Sequence, residues 1–502
     1  MAKKLYDALF APHADNPKPF LVDKAGSAIS YRDFIATSGR ISNLLCASGV
    51  GPGDRVAVQV EKSPTALALY AACVRAGAVF LPLNTAYTPS ELDYFIGNAE
   101  PALIVCDAAA ETAIAKIARG AIVMTLNGDE TGTLADGVEA QPAEFDTVAR
   151  SGDNLAAILY TSGTTGRSKG AMLTQDNLLS NAAALVGFWR FSADDVLLHA
   201  LPIYHTHGLF VATNVMLLAG GSMIFLPKFD LDAIIANLPK STTMMGVPTF
   251  YTRLLSDPRF DRRLADHMRL FISGSAPLLA ETHVEFEART GHRILERYGM
   301  TETNMNTSNP YDGERRAGTV GFALPGVDVR ICEAESGSEV TDGEIGILEV
   351  KGPNVFSGYW RMPERTAEEF RPDGYFITGD LASRDDDGYI RIAGRGKDLI
   401  ISGGLNIYPK EIELLLDEQD GVLESAVIGV PHADFGEAVV GVVVAMPEAL
   451  IDPGEIKAAI RDRIARFKQP REIVLVDELP RNTMGKVQKN VLRETYRDLF
   501  KD

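Results

Sequence analysis

The sequence predicts an α/β protein. A large N-terminal domain holds two α/β layered subdomains and a β-rich subdomain, and a small α+β domain follows it. Three observations predict this. Short apolar runs alternate with helical periodicity through the first half of the chain. From about Gly318 the pattern changes to short alternating strands with glycine turns, and beyond Lys397 it restarts as a separate helix-and-strand unit. A chain of 502 residues also exceeds the about 250–300 at which single cores stop growing.

The elements follow in order. VAVQV after the turn at Val50–Asp54 reads as a strand, and Pro64–Gly77 as a helix opened by proline and closed by glycine. AVFLPL is the next strand, Pro89–Asn98 the next helix, and Ala102–Asp107 another strand. Ser222–Phe229, Thr242–Pro248 and Arg269–Pro277 read as buried strands with helices between them. In the C-terminal unit KEIELLLDEQ is helical and ESAVIGVP and GEAVVGVVVAM are strands. GEIKAAIRDRIARF reads as an amphipathic helix, and REIVLVDELP as a last strand before a basic tail. The expected domains are 1–396 and 397–502.

Composition excludes several classes. Hydrophobic content of 46% and charged content of 23% are those of a cored globular protein. The net charge of -18 lacks the basic face that nucleic acid needs, and an anionic substrate then needs a locally positive pocket. Cys46, Cys73, Cys106 and Cys332 are scattered without metal spacing, which predicts a reduced, cytoplasmic setting. No stretch reaches the about 18–20 apolar residues of a membrane span, and the N-terminus lacks the apolar core of a secretory signal.

One stretch, TSGTTGRSKG at Thr161–Gly170, carries chemistry on its own. Gly163, Gly166 and Gly170 free the backbone to aim N–H groups at an anion. Ser162, Thr164, Thr165 and Ser168 add hydroxyls, with Arg167 beside them, and Lys169 adds a mobile point charge. The set suits the β- and γ-phosphates of a nucleotide; a flexible polar hairpin is the other reading. Lys169 follows the second glycine by too many residues for a Walker A loop, which disfavours a P-loop kinase or GTPase.

That loop resembles the phosphate loop of the adenylate-forming acyl-CoA synthetase, luciferase and peptide-synthetase adenylation superfamily. The resemblance continues in order through GSAP (Gly274–Pro277), ERYGMTET (Glu296–Thr303), TGD (Thr378–Asp380), GRGKDLIISGG (Gly394–Gly404) and RNTMGKVQK (Arg481–Lys489). It implies a two-step reaction. A carboxylate attacks the α-phosphate of ATP to form an acyl-adenylate and pyrophosphate, and the thiol of CoA then displaces AMP. The first step crowds negative charge onto phosphorus, so fixed cations and N–H donors must stabilise it.

The resemblance assigns roles residue by residue. Lys486 would meet the α-phosphate and the carboxylate, against a plain reading as a solvated lysine. Glu302, with Thr161, would hold Mg²⁺, against a reading as a helix N-terminal charge; Thr301 and Lys169 join the catalytic set. Asp380 and Arg395 would take the ribose and phosphate, or else form an ordinary ion pair. Gly274, Ser275, Ala276, Pro277, Glu296, Arg297, Tyr298, Gly299 and Met300 would line the nucleotide site, Ser275 and Gly299 facing the acid as well. Lys397 would be the hinge of a mobile C-terminal domain, with Ser402, Gly403 and Gly404 along CoA. Acetylation of Lys486 by a lysine acetyltransferase would remove its charge.

The acid is a separate question. HALPIYHTHGLF carries three histidines, and Arg253 follows Thr249 by one helical turn in GVPTFYTRLL. A dicarboxylate needs its non-reacting carboxylate paired, because an unpaired buried charge is costly. Arg253 offers a bidentate clamp and His205 a donor, while a snorkelling surface arginine is the plain alternative. AGAVFLPLNTAYT, HALPIYHTHGLFVATNV, ERYGMTETNMNTSNPY and LPRNTMGKVQKNVLRE resemble the malonyl-CoA synthetase family. That implies malonate, ATP and CoA as substrates and Mg²⁺ as cofactor, with some methylmalonate activity. Thr206 and Met305 would sit beside the α-carbon. Ligases for other short or aryl acids, a peptide-synthetase adenylation domain and a non-catalytic scaffold are the alternatives. The end of the chain soon after Lys486 speaks against the adenylation domain, and the presence of Lys486 and Glu302 against the scaffold.

Overall fold

The computed structural model describes residues 4–161, 168–402, 405–432, 435–461, 463–464, 466–482 and 485–500. They fall into two compact units. The first comprises residues 1–329 and 350–376, the second residues 330–349 and 377–502. Lys397, the expected hinge, lies inside the second.

The first unit is built on two mostly parallel sheets. One runs, edge to edge, through Ile122–Thr125, Leu103–Cys106, Arg55–Gln59, Val79–Pro82, Leu155–Thr161 and Lys169–Thr174. All its neighbours are parallel except the last pair, where Thr161 faces Lys169 in an antiparallel hairpin. Successive residues alternate between two cores, as a strand covered on both faces requires. Val56, Val58 and Phe80 join one cluster; Ala57, Val79 and Leu81 join the other.

The second sheet has nine strands. From Phe322–Ala323 it passes through Asn304–Ser308, Leu295–Met300, Leu270–Ser273 and Thr243–Gly246, then Val196–His199 and Ser222–Phe225, to Pro19–Val22 and Ala28–Ser30. Five consecutive pairings between Leu295–Met300 and Pro19–Val22 are parallel. Helices Tyr31–Ala47, Pro64–Ala76 and Gln175–Phe188 contribute to the core cluster that includes residues of both sheets.

Local chemistry sets the helix ends. Ser63 accepts from the Ala66 amide ahead of Pro64, and Gly77 closes that helix at φ 73°. Thr88 with Glu91 and Thr174 with Asn177 form reciprocal caps.

A four-stranded sheet of Asp328–Cys332, Gly346–Lys351, Phe376–Arg384 and Ile390–Arg395, most of whose residues belong to the second unit, is the β-rich segment expected after Gly318. The other sheet of that unit pairs Leu405–Ile407, Ile400–Ser402, Gly436–Ala445 and Val422–His432, with Glu472–Val476 added parallel to Gly436–Ala445. Val439 and Val443 enter one core; Val440, Val442 and Val444 enter the other. The helix expected over GEIKAAIRDRIARF is shorter than its pattern: it spans Pro453–Ile460, and a separate turn covers Arg466–Lys468. Among the described residues no helix is long and apolar enough to cross a membrane.

Candidate active site

The phosphate-loop stretch connects two antiparallel strands. Thr161 ends one and Lys169 begins the next, and the Thr161 hydroxyl donates to the Lys169 carbonyl at 3.4 Å. Ser162, Gly163, Thr164, Thr165, Gly166 and Arg167 lie outside the described residues. Ser168 is held from the side by the Tyr94 hydroxyl, which donates to its carbonyl at 2.8 Å. Lys169 Nζ lies 2.7 Å from Glu369 Oε1 and 4.1 Å from the centre of the Tyr359 ring.

Glu302 is buried at 6% exposure in the tight turn joining Leu295–Met300 to Asn304–Ser308. It therefore caps no helix, and the alternative reading of a helix N-terminal charge falls. The Tyr359 hydroxyl lies 3.0 Å from Glu302 Oε1 and 2.6 Å from Glu369 Oε2. Burial, then Glu302 and Glu369, push the tyrosine pKa far above its ordinary value. The chain thus links Lys169, Glu369, Tyr359 and Glu302 in one polar string. Thr301 stands partly open beside Glu302. One buried carboxylate and the Thr161 hydroxyl are hard oxygen donors of the kind Mg²⁺ accepts when phosphate and water complete its shell.

The carboxyl ends of the parallel strands carry the second cluster, where ligands bind in open α/β sheets. Ser275 follows Leu270–Ser273 and is held at φ 73°, a left-handed conformation rare for serine. Its Oγ lies 3.1 Å from His207 Nδ1. Ala276 and Pro277 are exposed. Arg297, in the middle of Leu295–Met300, is 4% exposed. Its guanidinium presses on the backbone opposite: a Cβ on Gly274 would stand 2.3 Å from its Cζ. Its Nε and one terminal nitrogen have no partner among the described residues, nor has His207 Nε2. Burial lowers the Arg297 pKa to about 9. Burial, with Arg297 next, drives His207 well below its usual value, so His207 is neutral.

The remaining expected residues divide. Thr206 is 2% exposed and donates to Asn304 Oδ1 at 2.7 Å, and Met305 is 1% exposed. A Cβ on Gly299 would meet Asn304 O at 1.9 Å and Met305 Cε at 2.6 Å, so these residues share one wall. His205 Nδ1 accepts from the His207 amide at 3.3 Å. Arg253 is exposed in the last turn of Pro248–Leu255, with its guanidinium 5.7 Å from the Phe229 ring. Glu296 is buried 3.6 Å from His283 Nδ1, and the Tyr298 hydroxyl meets Met300 Sδ at 3.9 Å.

In the second unit, Asp380 pairs in register with Arg395 and their side chains meet at 2.7 Å. Burial, with Arg395 next, pulls Lys397 down to about 8. Its neighbour Asp398 is paired with Arg493 at 2.6 Å. Ser402 pairs in register with Leu405; Gly403 and Gly404 lie outside the described residues. Lys486 is exposed: its amide donates to Asn482 Oδ1 at 2.9 Å, and Gly485 takes φ 75°.

Sequence reasoning missed Tyr359 and Glu369, which meet Lys169 from far along the chain. It also missed the support under the histidine loop. Lys62 Nζ lies 2.8 Å from His199 Nδ1, and His199 Nε2 lies 2.9 Å from the Gly208 carbonyl oxygen.

A lysine beside a buried carboxylate string and a polar cluster at the carboxyl ends of parallel strands are features that suit a nucleotide-dependent enzyme. The chain matches the AMP-binding enzyme family over residues 11–360 and the AMP-binding enzyme C-terminal domain over residues 411–486. It belongs to that family. It is 60% identical to ATP-bound MatB from Rhodopseudomonas palustris, covering 100% of both chains with a TM-score of 0.98. Among curated relatives it is 35% identical to a feruloyl-CoA synthase from an Amycolatopsis species, over 97% of each chain. It is 33% identical to the malonate–CoA ligase of Arabidopsis thaliana, over 98% of this chain and 88% of that one.

Proposed function

We infer that this chain is an AMP-forming malonate–CoA ligase: malonate, ATP and CoA become malonyl-CoA, AMP and pyrophosphate. One observation carries the choice of acid. Arg297 is a buried guanidinium whose Nε and one terminal nitrogen have no partner among the described residues, set near Ser275 and neutral His207. A buried cation without an anion is expensive, and a substrate carboxylate relieves that cost. The other carboxylate of malonate is then left to react. The match to MatB and to malonate–CoA ligase supports the same acid.

The site roles are part of this reading. Arg297, expected from its motif at the nucleotide, becomes the anchor of the distal carboxylate, with Ser275 and His207 as donors. Thr206, Met305 and Gly299 wall the α-carbon, which leaves methylmalonate as a poorer substrate. Lys169 and the loop hydroxyls bind the leaving phosphates, and Glu302 with Thr161 hold Mg²⁺, which neutralises phosphate charge when bound. Asp380 and Arg395 take the ribose, and Lys486 the α-phosphate. Lys397 is the pivot between half-reactions, Ser402–Gly404 borders CoA, and the domains part at 396/397. Four unpaired cysteines support a reducing, cytoplasmic compartment.

Exposed Arg253 is the competing anchor. AMP and pyrophosphate release from malonate, methylmalonate, acetate and butyrate tests the reading. Malonate should lead the panel, and Arg297→Ala should abolish that lead. If Arg253→Ala abolishes it while Arg297→Ala does not, the anchor is Arg253. If acetate leads in the wild type, the dicarboxylate reading is wrong.

A further inference from the structure

Lys169 begins the strand that follows the phosphate loop, and its partner is a carboxylate whose two oxygens are both engaged. Glu369 Oε1 lies 2.7 Å from Lys169 Nζ and 2.8 Å from an Arg365 nitrogen; Oε2 lies 2.6 Å from the Tyr359 hydroxyl. The Lys169 and Glu369 side chains are only 19% and 16% exposed, so water screens the pair weakly.

The holder is fixed to the strand it serves. The Met172 amide donates to Gly358 O at 2.9 Å, and the Trp360 amide donates to Gly170 O at 2.7 Å. Tyr359 therefore rides beside Lys169–Thr174, and its ring lies under the ammonium. The Thr366 hydroxyl accepts from the Tyr359 amide at 2.9 Å, which ties in the helix Pro363–Glu368 that ends beside Glu369.

We propose that Glu369 is the resting counter-ion of the phosphate-loop lysine. It holds Lys169 while no triphosphate is bound, yields it to the phosphates of ATP, and takes it back as pyrophosphate leaves. This rests on the assignment of Lys169 to the phosphates. The carboxylate can release the lysine because it keeps Arg365 and Tyr359; no buried charge is stranded by the exchange. The lysine moves because its stem is flexible and its ammonium is a point charge, while the backbone at Thr161 and Lys169 stays paired. A triphosphate offers more negative charge than one carboxylate already shared with arginine.

The exchange makes Glu369 a competitor of ATP, which sets the sign of the test. ATP binding is measured by calorimetry with no acid present, and pyrophosphate inhibition by steady-state kinetics. Glu369→Gln should lower the Kd of ATP and the inhibition constant of pyrophosphate about fivefold. Arg365→Gln, which leaves Glu369 dependent on Lys169, should raise the Kd of ATP. In a Lys169→Ala background both substitutions should change nothing. Unchanged or weaker ATP binding in folded Glu369→Gln overturns the proposal, as does the same tightening without Lys169. If Lys169→Ala alone leaves ATP affinity intact, the phosphate role of Lys169 fails, and this proposal with it. If Lys169→Ala weakens ATP but Glu369→Gln does not tighten it, only the exchange is wrong.

Discussion

Replacing Arg297 with methionine keeps much of the side-chain volume and removes the charge. In the wild type the guanidinium is 4% exposed, and burial lowers its pKa to about 9. Malonate would bring the missing anion. Without Arg297 the distal carboxylate would enter a buried site unpaired, a loss of about 3–4 kcal/mol. That is about 10²–10³ in kcat/KM for malonate. Butyrate has no distal charge, so its kcat/KM should hold or rise. The unliganded protein should respond the other way. Exchanging an uncompensated buried charge for an apolar side chain should stabilise it by about 1–4 kcal/mol, seen as a higher melting temperature. Malonate should protect the wild type thermally and should no longer protect the variant. The assays are pyrophosphate release for both acids and melting curves with and without malonate. Equal losses for malonate and butyrate, or malonate turnover within tenfold of wild type, would refute the anchor.

Other substitutions probe the walls and the second unit. Met305→Ala empties space beside Gly299 and should shift the methylmalonate-to-malonate kcat/KM ratio upward about tenfold. Gly299→Ala places a Cβ 1.9 Å from Asn304 O; it should destabilise by about 1–3 kcal/mol in denaturant titration and lower turnover of every acid. Asp417 tests pH. Burial, reinforced by Glu413 and Glu424 against Ser425 and Lys410, raises its pKa to about 6. The folded state then holds a proton that the unfolded state has released between pH 4 and 6, so its contribution falls as pH rises through 6. Asp417→Asn should stabilise the protein by about 2–3 kcal/mol at pH 8 and by little at pH 4, read from unfolding curves.

The layers were legible because periodicity reports burial. Val439 to Val444 alternate between two cores as a sandwiched strand must, and Pro64 with Gly77 announced both ends of their helix. The expected helix over GEIKAAIRDRIARF stops at Ile460 although its apolar spacing continues, since spacing alone does not terminate a helix. The site was half legible. Thr161, Lys169 and Glu302 stand in short motifs whose residue types suit phosphate and metal. Tyr359 and Glu369 meet Lys169 only through tertiary pairing of Gly358–Trp360 with the loop strand, and no local pattern encodes that pairing.

Arg297 was visible in the sequence, and on the proposed reading it serves the acid. It stands in ERYGMTE, so the motif assigned it to the nucleotide. A signal for its burial was present. ILERYG reads as a strand inside a parallel sheet, and such strands are buried on both faces, so a charge within one must be buried too. On the proposed reading, one strand then serves the distal carboxylate at Arg297 and the metal at the turn carrying Glu302. The two substrates would be registered against each other by backbone that cannot slip without breaking the pairing of Arg297 with Ser308. A reacting carboxylate placed by its far end needs that kind of registration, because a misplacement of about 1 Å can cost about 10² in rate. On that reading the rigidity of the strand would be part of the specificity: an acid one carbon longer would satisfy Arg297 and overshoot the phosphorus. Succinate should accordingly bind and protect against heat almost as malonate does, while releasing pyrophosphate at least tenfold more slowly. Succinate turning over as fast as malonate would show that the far end does not set the reach.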